Sequence, residues 1–399
     1  MILQGKHIVL GVTGGIAAYK AVEVASRLVK AGAQVDVVMT PAATRFVGAL
    51  TFQTVTARPV AVEMFALLRE TDIAHVSLAR RADLLIIAPL TANTLAKLAH
   101  GLADNLLTAT VLDTHAPLLL APAMETGMWT NPLTQDNLAR LRKARDVTVV
   151  GPTEGRLASG AVGVGRMAEP VEIVDAARWV LGRAGPLRGR RVVVTAGGTR
   201  EPLDPVRVLT NRSSGRMGVA LAVAARDAGA EVVLIHTPGV PPAPWGANEV
   251  EVETAQEMRD AVLDAVAEAD ALLMAAAVAD YRPLQVARQK IKKTGEPLVL
   301  TLERTPDILV EVAERRAKLP RLRAVVGFAA ETERVVENAR DKLRRKRLEL
   351  IVANDARLAM GADTNQVTLI AADGSVEELP LLPKDEVAEL VIARLAELL

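Results

Sequence analysis

Polar and titratable side chains stand at the ends of apolar runs, where they have the chemistry to bind or transform a small molecule. Thr91 and Asn93 follow the run LLIIAPL, and Met124 and Glu125 follow the run LLLAPA. From the residues alone, Thr91 and Asn93 suit hydrogen bonding to a ligand and capping of the following helix equally well. His75 precedes both runs, and its imidazole suits proton transfer near neutral pH, although an isolated histidine is more often structural.

A glycine-rich stretch, GRLASGAVGVGRM at residues 155–167, contains Ser159 between two arginines, Arg156 and Arg166. Such a stretch suits a phosphate-binding loop, a lid over a site or a plain turn. We interpret its glycines as hinges of a flap that covers a substrate, with the two arginines available to face anionic groups.

The second half of the chain carries a denser set of polar groups. The segment TNRSSGRMG suits anion binding or plain capping at a helix entry. Asn211 and Arg212 within it, and Arg207 just before it, exceed what a cap needs. Lys290, Lys342 and Lys346 are cations suited to a triphosphate, and the last two share a helix face at i, i+4 spacing. On composition alone, the run DKLRRKR is better explained as a solvated helix surface.

Parallel β-sheets covered by helices must position these side chains. Short β-rich runs such as HIVLGV, AQVDVVMT and ADLLIIAPL alternate with amphipathic stretches such as AAYKAVEVASRLVKAG, a rhythm typical of βαβ units. Side chains that follow such strands meet at the carboxyl edge of the sheet. After HIVLGV the chain turns through Gly14 and Gly15, which suits a phosphate but lacks the full G-x-G-x-x-G fingerprint.

The pattern restarts after the Gly-, Pro- and Arg-rich segment GPLRGRR, with the strand and turn VVVTAGGTR. This restart predicts two α/β domains, residues 1–188 and 189–399. We expect the second to continue through the strand candidates EVVLIHT, ALLMAAAVA, RAVVGFAAET and LELIVAND. A hairpin around QVTLIAADGSVEELPLL and a terminal helix should close it. A two-domain Rossmann dehydrogenase also fits the rhythm, but neither half has the dinucleotide fingerprint with a suitably spaced acidic residue.

The amino-acid composition indicates how the cores are filled and which classes of partner the protein is not suited to bind. Of 399 residues, 50% are hydrophobic but only 2% aromatic, so Val, Leu, Ile and Ala must fill the cores. Lysine and arginine number 48 against 47 aspartate and glutamate residues, which argues against a nucleic-acid or anionic-membrane partner. No apolar run reaches the roughly 18 residues of a membrane span, and there is no cysteine for disulfides or thiolate metal sites. We therefore expect a cytoplasmic protein.

Several long, separated motifs together resemble one enzyme family. GVTGGIAAYK, AHVSLAR, APLTANTLAKLAHGLADN, APAMETGMW and the glycine-rich stretch are similar to motifs of the flavin-dependent cysteine decarboxylases. TAGGTREPLDPVRVLTNRSSGRMG, AAAVADYRP with KIKK, RTPDILVEVA, GFAAET and DKLRRKRLELIVAND are similar to motifs of the CTP-using phosphopantothenate–cysteine ligases. With both halves included, the chain resembles the bifunctional coenzyme A biosynthesis proteins over nearly its whole length.

The resemblance implies two Rossmann-like parallel-sheet domains, a flavodoxin-like one that binds FMN and one that carries the CTP-dependent ligase. In the first, His75 would assist oxidation of the substrate thiol, carbon dioxide would leave, and the flavin would reduce the resulting enethiol. A mobile flap would close over the substrate. The implied cofactor contacts are Gly14, Gly15, Thr40, Thr91, Asn93 and Met124, and the implied substrate contacts are Glu125, Arg156 and Arg166.

Two positions depart from the family pattern. The family has an asparagine that binds the substrate carboxylate where this chain has Glu125, and a cysteine proton donor where it has Ser159. A carboxylate at 125 would repel that of the substrate unless it is protonated or paired with a cation such as a flap arginine. A hydroxyl is a far poorer acid than a thiol. Three alternatives stay open: a decarboxylase with altered groups, a flavin-binding scaffold that carries an active ligase, or a chain whose cysteine was replaced.

For the second half, the resemblance implies that the carboxylate of 4′-phosphopantothenate attacks the α-phosphate of CTP. The amine of L-cysteine would then displace CMP from the acyl-cytidylate. Asn211 would handle the acyl-cytidylate and Lys290 would support nucleotidyl transfer, with Mg²⁺ travelling with CTP. The remaining implied contacts are Arg207, Ala276, Asp280, Pro306, Asp307, Ile308, Leu309, Phe328, Lys342 and Lys346. The family also implies a homo-oligomer of trimeric flavin domains and dimeric ligase domains, up to a dodecamer.

Overall fold

The computed structural model describes residues 2–64, 74–293, 297–331, 333–355 and 363–399. The contacts between Cα atoms divide the chain into two compact units, Met1–Leu181 and Gly182–Leu399. Each unit is built on a wholly or mainly parallel β-sheet with helices, so the predicted α/β class is confirmed. Among the described residues, no helix is both long and apolar enough to cross a membrane.

The sheet of the first unit is fully parallel. Its strands are β1 (His7–Val12), β2 (Gln34–Met39), β3 (Leu84–Leu90), β4 (Leu118–Pro122) and β5 (Val147–Val149). They lie in the order β2-β1-β3-β4-β5, which is the flavodoxin-like order with a topological switch between β1 and β3. β3 and β4 are buried along their whole length, as expected for continuous runs of Leu, Ile and Ala inside a parallel sheet.

Amphipathic helices connect these strands. In α1 (Ala18–Lys30), Ala21, Val24, Ala25 and Leu28 are buried at i, i+3, i+4 and i+7, so one face of the helix lies on the core. The other helices of this unit are α2 (Ala49–Thr56), α3 (Ala74–Arg81), α4 (Ala92–Ala99), α5 (Leu106–Asp113), α6 (Thr126–Trp129), α7 (Pro132–Ala144) and α8 (Pro170–Gly182).

The glycine-rich stretch forms an antiparallel hairpin outside the main sheet. In this hairpin, β6 (Thr153–Arg156) pairs with β7 (Val162–Arg166). Gly160 lies in the connecting turn at a φ of 89°, a left-handed conformation that glycine adopts without steric cost. The stretch is therefore an ordered hairpin rather than an open loop. We call this hairpin, residues 153–166, the flap.

The second unit contains a larger, mixed sheet. Its parallel strands are β8 (Arg191–Ala196), β11 (Glu231–His236), β12 (Asn248–Glu251), β13 (Ala271–Met274), β16 (Ala324–Glu331) and β17 (Leu350–Asp355), and its antiparallel strands are β19 (Val367–Ala371) and β20 (Val376–Glu378). Their order is β12-β11-β8-β13-β16-β17-β19-β20. Short two-stranded pairs are formed by β9 (Arg200–Pro202) with β10 (Val208–Thr210), β14 (Tyr281–Pro283) with β15 (Leu302–Arg304), and β18 (Thr364–Asn365) with β21 (Leu382–Pro383).

The helices of the second unit bury their apolar faces on the two sides of this sheet. They are α9 (Arg216–Asp227), α10 (Ala255–Ala265), α11 (Ile308–Arg315), α12 (Val335–Arg345) and α13 (Lys384–Leu398). Alternate β8 residues point to opposite sides: Val192 and Val194 pack with the cluster of α9 and α13, and Val193 packs with that of α10, α11 and α12. The predicted terminal hairpin, formed by β19 and β20, and the predicted terminal helix are both present.

One predicted strand is shorter than the sequence suggested. ALLMAAAVA reads as a continuous strand, but β13 ends at Met274. Beyond it, the Ala276 amide donates to the hydroxyl of Thr195 at 3.0 Å, and the Ala277 amide donates to the carbonyl of Gly197 at 2.7 Å. These bonds to the end of β8 and to the turn after it hold the residues beyond Met274, so the apolar run ends in a loop.

Candidate functional sites

The turns after β1 and β3 meet at the carboxyl edge of the first sheet. The hydroxyl of Thr13 donates to the carbonyl of Pro89 at 2.7 Å and accepts from the amide of Thr91 at 3.2 Å. Thr13 is fully buried, so it ties the two turns together beneath the edge. A Cβ built on Gly15 would lie 3.7 Å from Cγ2 of Thr91. The predicted residues Gly15 and Thr91 are therefore neighbours at the switch point, where doubly wound sheets bind ligands.

Three of the predicted cofactor contacts also hold the loops of this edge. Thr91 is the N-cap of α4, because its hydroxyl accepts from the amide of Thr94 at 3.4 Å. Gly14 allows close packing, since an added Cβ would lie 2.5 Å from the Cβ of Ala42. Thr40 is buried after β2, where its hydroxyl accepts from the amide of Ala43 at 3.3 Å. The capping alternative for Thr91 is thus present, and ligand contact at these positions stays a prediction.

Asn93 and His75 supply further polar groups at this edge. Asn93 is exposed in the first turn of α4. His75 lies in the first turn of α3, and a helix that leads into a parallel strand begins near the carboxyl edge of the sheet. Nδ1 of His75 is buried and has no hydrogen-bond partner among the described residues. A buried, unpaired nitrogen is costly, so His75 is suited to pair with a bound ligand or water.

The segment after β4 continues the same edge and carries the flap. The amide of Ala123 donates to the carbonyl of Leu90 at 3.0 Å, which places this segment beside the turn after β3. The amide of Met124 then donates to the carbonyl of Gly165 in β7 at 3.0 Å. Met124 therefore connects the sheet edge to the flap through its backbone.

Two flap glycines permit this close approach. A Cβ added to Gly165 would lie 2.1 Å from the carbonyl oxygen of Met124, and one added to Gly163 would lie 2.4 Å from Oγ1 of Thr126. Real Cβ atoms do not approach other atoms so closely. Gly165 therefore needs to be glycine, because its neighbour is backbone, whereas a Cβ at Gly163 would require the Thr126 side chain to shift. The hinge interpretation did not include this role.

The two positions that depart from the family pattern contact each other. The hydroxyl of Ser159, in the turn of the flap, donates to Oε2 of Glu125 at 2.9 Å. The same hydroxyl accepts from the amide of Ala161 at 3.4 Å. Glu125 is half-buried and precedes α6 without capping it. The two residues are 34 positions apart in different elements, so no local pattern indicates the contact.

The flap arginines are placed differently from each other. Arg166 pairs with Glu169, whose carboxylate also lies 2.9 Å from Nζ of Lys20. The hydrogen bond from Lys20, with a smaller effect of Arg166, holds the pKa of Glu169 below its usual value. Arg156 is exposed at the end of β6. Glu125 therefore accepts a hydrogen bond from Ser159, while Arg166 is paired with Glu169.

The second unit contains a cleft of about 840 Å³ at the carboxyl edge of its sheet. The first turn of α9, the loops after β13 and β15, and one end of α12 line it. The structure brings together the following predicted residues in this lining: Ala276, Asp280, Pro306, Asp307, Ile308, Leu309, Phe328, Lys342 and Lys346.

The two lysines predicted to grip a phosphate both reach this cleft. Nζ of Lys342 lies 2.5 Å from Oε1 of Glu331, and Nζ of Lys346 lies 2.9 Å from Oδ1 of Asp307. Asp307 also caps α11, because its carboxylate accepts from the amide of Val310 at 3.4 Å. The run DKLRRKR thus combines solvated residues with three that line the cleft, Lys342, Arg345 and Lys346.

Asn211, Arg207 and Lys290 lie outside the lining of this cleft. Asn211 lies at the rim, where its side-chain amide donates to the carbonyls of Ala277 and Val278 at 3.3 and 3.1 Å. Arg207 donates to the carbonyl of Ile291 at 2.9 Å, beside the exposed Lys290.

Asp204 anchors the loop that carries Lys290. Its buried carboxylate accepts from the amides of Val206, Arg207 and Ile291 at 2.8 to 3.1 Å, and Arg207 also lies 3.0 Å away as an ion-pair partner. Burial by itself raises the pKa of Asp204, but the three amides and the Arg207 charge outweigh it and hold the pKa below its usual value. Asp204 was not predicted, because a single aspartate in a loop carries no sequence signal.

Sequence reasoning also missed residues at the far end of the cleft, which come from distant parts of the chain. Asn365 is 7% exposed, and its Oδ1 has no hydrogen-bond partner among the described residues. Burial, together with the nearby charge of Arg216, holds the pKa of Lys384 below its usual value. Arg216 itself pairs with Asp363. The charged and amide side chains of the lining that were not predicted are Arg216, Arg304, Arg345, Asn354, Asn365 and Lys384.

Comparison with protein-family models assigns each part of the chain to a described family. Residues 2–181 match the model described as "Flavoprotein". Residues 187–399 match the model described as "DNA/pantothenate metabolism flavoprotein C-terminal domain".

Curated relatives match almost from end to end. The relatives described next are named "Coenzyme A biosynthesis bifunctional protein CoaBC". The relative from Mycobacterium tuberculosis strain H37Rv is 47% identical over 390 residues, covering 94% of this chain and 92% of the relative. The relative from Vibrio cholerae is 45% identical and covers 98% of both chains. The relative from Bacillus subtilis is 43% identical and covers 100% of this chain and 98% of its own.

Proposed function

The chain belongs to the family of the coenzyme A biosynthesis bifunctional proteins, and we propose that it makes 4′-phosphopantetheine from 4′-phosphopantothenate, L-cysteine and CTP. The second unit would join 4′-phosphopantothenate to cysteine, and the flavoprotein unit would decarboxylate the product. The observation that carries this proposal is the pair of carboxyl-edge sites, each of which gathers residues implied by the resemblance.

The cleft of the second unit suits nucleotidyl transfer. Displacement of pyrophosphate from CTP concentrates negative charge, which Lys342 and Lys346 are placed to stabilise. Asp280 would take part in CTP binding, with Mg²⁺ supplied together with the nucleotide. Asn211, at the rim, would hold the acyl-cytidylate while the amine of cysteine displaces CMP.

The edge of the first unit suits a flavin. The strand order places its switch point between β1 and β3, the position where flavodoxin-like sheets bind FMN. Nδ1 of His75 is a buried group that has no partner in the described part of the chain and that a ligand would satisfy. Asn93 is an exposed amide at the same edge. We propose that Asn93, with Gly15 and Thr91, holds FMN, which when bound accepts an electron pair from the substrate thiol and later returns it. His75 would take the thiol proton.

A second candidate is a ligase carried on a flavin-binding scaffold that does not decarboxylate. The observation behind it is the replacement of both family residues, which gives Glu125 and Ser159 in contact. Release of carbon dioxide from 4′-phosphopantothenoylcysteine separates the two candidates. Robust turnover to the reduced thiol removes the scaffold candidate.

The experiment for the main proposal uses purified full-length protein. We expect it to be yellow with FMN and to release pyrophosphate from CTP only when 4′-phosphopantothenate is present. Colourless protein without such release would overturn the proposal. Sizing of the same sample by light scattering tests the proposed homo-oligomer of trimeric flavin units and dimeric ligase units.

A further inference from the structure

We propose that Glu125 is the acid that returns a proton to the substrate carbon after carbon dioxide leaves, and that Ser159 positions its carboxyl group. This inference rests on the proposed decarboxylase function of the first unit. It starts from one contact, the 2.9 Å hydrogen bond from the Ser159 hydroxyl to Oε2 of Glu125.

The chemistry of the two side chains decides which of them donates the proton. An aliphatic hydroxyl does not give up its proton in the accessible pH range, whereas a carboxylic acid does so readily. Ser159 donates its hydrogen bond to Oε2, and this leaves Oε1 of Glu125 available to the substrate. Ser159 is therefore a positioning residue, and Glu125 is the catalytic acid.

The surroundings of Glu125 fix it against the sheet edge and the flap. The preceding residue, Met124, is held by the carbonyl of Gly165 in β7 at 3.0 Å, and Ala123 is held by the carbonyl of Leu90 in β3 at 3.0 Å. The acid thus lies one strand along the edge from the switch point where the flavin is proposed to bind. Its alignment depends on the flap, because Ser159 is part of the flap turn.

The charged groups of the neighbouring elements leave Glu125 without a cation partner. Arg166 of β7 and Lys20 of α1 both pair with Glu169. Arg156 is exposed at the end of β6, and no ion pair joins Glu125 to any described residue. A substrate carboxylate brought into this site would therefore meet an uncompensated negative charge, and two such carboxylates share a proton rather than both stay ionised.

The proton balance of the step follows from this pairing. When the substrate carboxylate binds, Glu125 takes up one proton from solvent. When the bond to the carboxylate breaks, its electron pair stays on the substrate as an enethiolate and carbon dioxide leaves, so the repulsion that held the proton on Glu125 ends. The proton then forms the new C–H bond, and Glu125 becomes a carboxylate that regains a proton from solvent. The electron pair for the final reduction is the one that thiol oxidation gave to the flavin.

The first experiment separates carbon dioxide release from reduction. In the flavin-loaded Glu125→Asn variant, carbon dioxide release persists while the ratio of reduced thiol to carbon dioxide falls at least tenfold and the enethiol accumulates. Adding Ser159→Cys to this variant supplies a thiol acid and restores the ratio. The matched control is Glu154→Gln, which removes an exposed carboxylate of β6 and leaves the ratio unchanged.

The second experiment reads proton uptake without turnover. The probe is the serine counterpart of the substrate, whose hydroxyl replaces the thiol, titrated into the flavin-loaded protein by calorimetry in two buffers of different ionisation enthalpy. We expect uptake of nearly one proton by the unchanged chain and nearly none by Glu125→Gln.

These outcomes keep the inference separate from the proposed function. Wild-type reduction by Glu125→Asn without a new cysteine, or equal proton uptake by Glu125→Gln, overturns the role of Glu125 while the decarboxylase stands. No carbon dioxide from the unchanged, flavin-loaded chain overturns the decarboxylase itself. Flavin absorbance of each variant checks that the site has folded.

Discussion

Nζ of Lys346 lies 2.9 Å from Oδ1 of Asp307, so a predicted phosphate ligand is paired with a carboxylate that lines the same cleft. Lys342 is also paired with a carboxylate, that of Glu331. A triphosphate that enters the cleft must therefore compete with these carboxylates for the lysines. Alternatively, it must bring a divalent cation that binds both the phosphates and the carboxylates. Paired lysines are held in place by their partners, which lowers the entropy cost of gripping the phosphate.

Replacing one of these lysines should weaken CTP binding. Because a hydrogen bond to a charged group contributes about 1.5–3 kcal/mol, we expect Lys346→Ala to raise the KM for CTP about 10- to 100-fold. Initial rates of pyrophosphate release at varied CTP measure this. The matched control, Arg344→Ala, removes an exposed cation of the same helix that does not line the cleft, and a comparable rise in that variant would contradict a specific role for Lys346.

Asp204 should affect the ligase activity, because it anchors the loop that carries Lys290. In Asp204→Asn the side chain loses an acceptor oxygen for Arg207 and Ile291, so the loop loosens. Because misplacement of a catalytic group lowers the rate, we expect the kcat of the ligase to fall about 10- to 100-fold, with a smaller change in the KM for CTP. An unchanged kcat would show that the loop does not position Lys290 for catalysis.

Asp204 should also make the thermal stability of the protein depend on pH. The folded state holds the pKa of Asp204 below its usual value, so its charge stabilises the fold above the unfolded pKa of about 3.9 and this contribution is lost as pH falls further. The difference in Tm between the unchanged chain and Asp204→Asn should be largest near neutral pH and should shrink below about pH 4. A difference that grows on acidification would contradict the assignment.

His75 should be needed for chemistry rather than for flavin binding alone. Since general acid–base catalysis contributes about 10²–10⁴-fold, His75→Asn should lower carbon dioxide release by that factor while flavin is retained. Absorbance spectra and carbon dioxide assays measure the two effects. His100→Asn, which changes an exposed histidine at the end of α4, serves as control and should keep full activity.

Gly165 should be needed for the flap to lie against the segment after β4. The added Cβ of Gly165→Ala would lie 2.1 Å from the carbonyl oxygen of Met124, so the 3.0 Å hydrogen bond between these residues must break or shift. Overpacking of this kind costs about 1–3 kcal/mol, and we expect a tenfold or greater loss of decarboxylation with ligase activity intact. Gly127→Ala, which has open space around it in α6, should be silent.

Local patterns were sufficient for the elements of the fold. HIVLGV, residues 7–12, is β1, because a short apolar run between turn residues is a strong strand signal. The strand rhythm also predicts that Thr91 and Met124 lie at one sheet edge, and the hydrogen bond from Ala123 to Leu90 brings their segments together there. The predicted end of β13 was wrong, because the amides of Ala276 and Ala277 donate to Thr195 and Gly197. These two acceptors are far away in the sequence, and the bonds to them decide where that strand stops.

Contacts between distant residues were the part that sequence could not supply. Ser159 and Glu125 were each recognised as departures, but only the fold brings the flap turn next to the segment after β4. Asn365 and Lys384 reach the cleft because β18 and α13 fold back toward α9, and nothing near them in the sequence indicates a ligand. Pairing between elements depends on tertiary packing, which a local pattern does not encode.

One product analysis tests the central claim, that a single chain both ligates and decarboxylates. The flavin-loaded protein is incubated with 4′-phosphopantothenate, L-cysteine and CTP, and the products are identified by mass spectrometry. We predict 4′-phosphopantetheine with equal amounts of CMP and carbon dioxide. Accumulation of 4′-phosphopantothenoylcysteine without carbon dioxide, or no CMP at all, would contradict the claim.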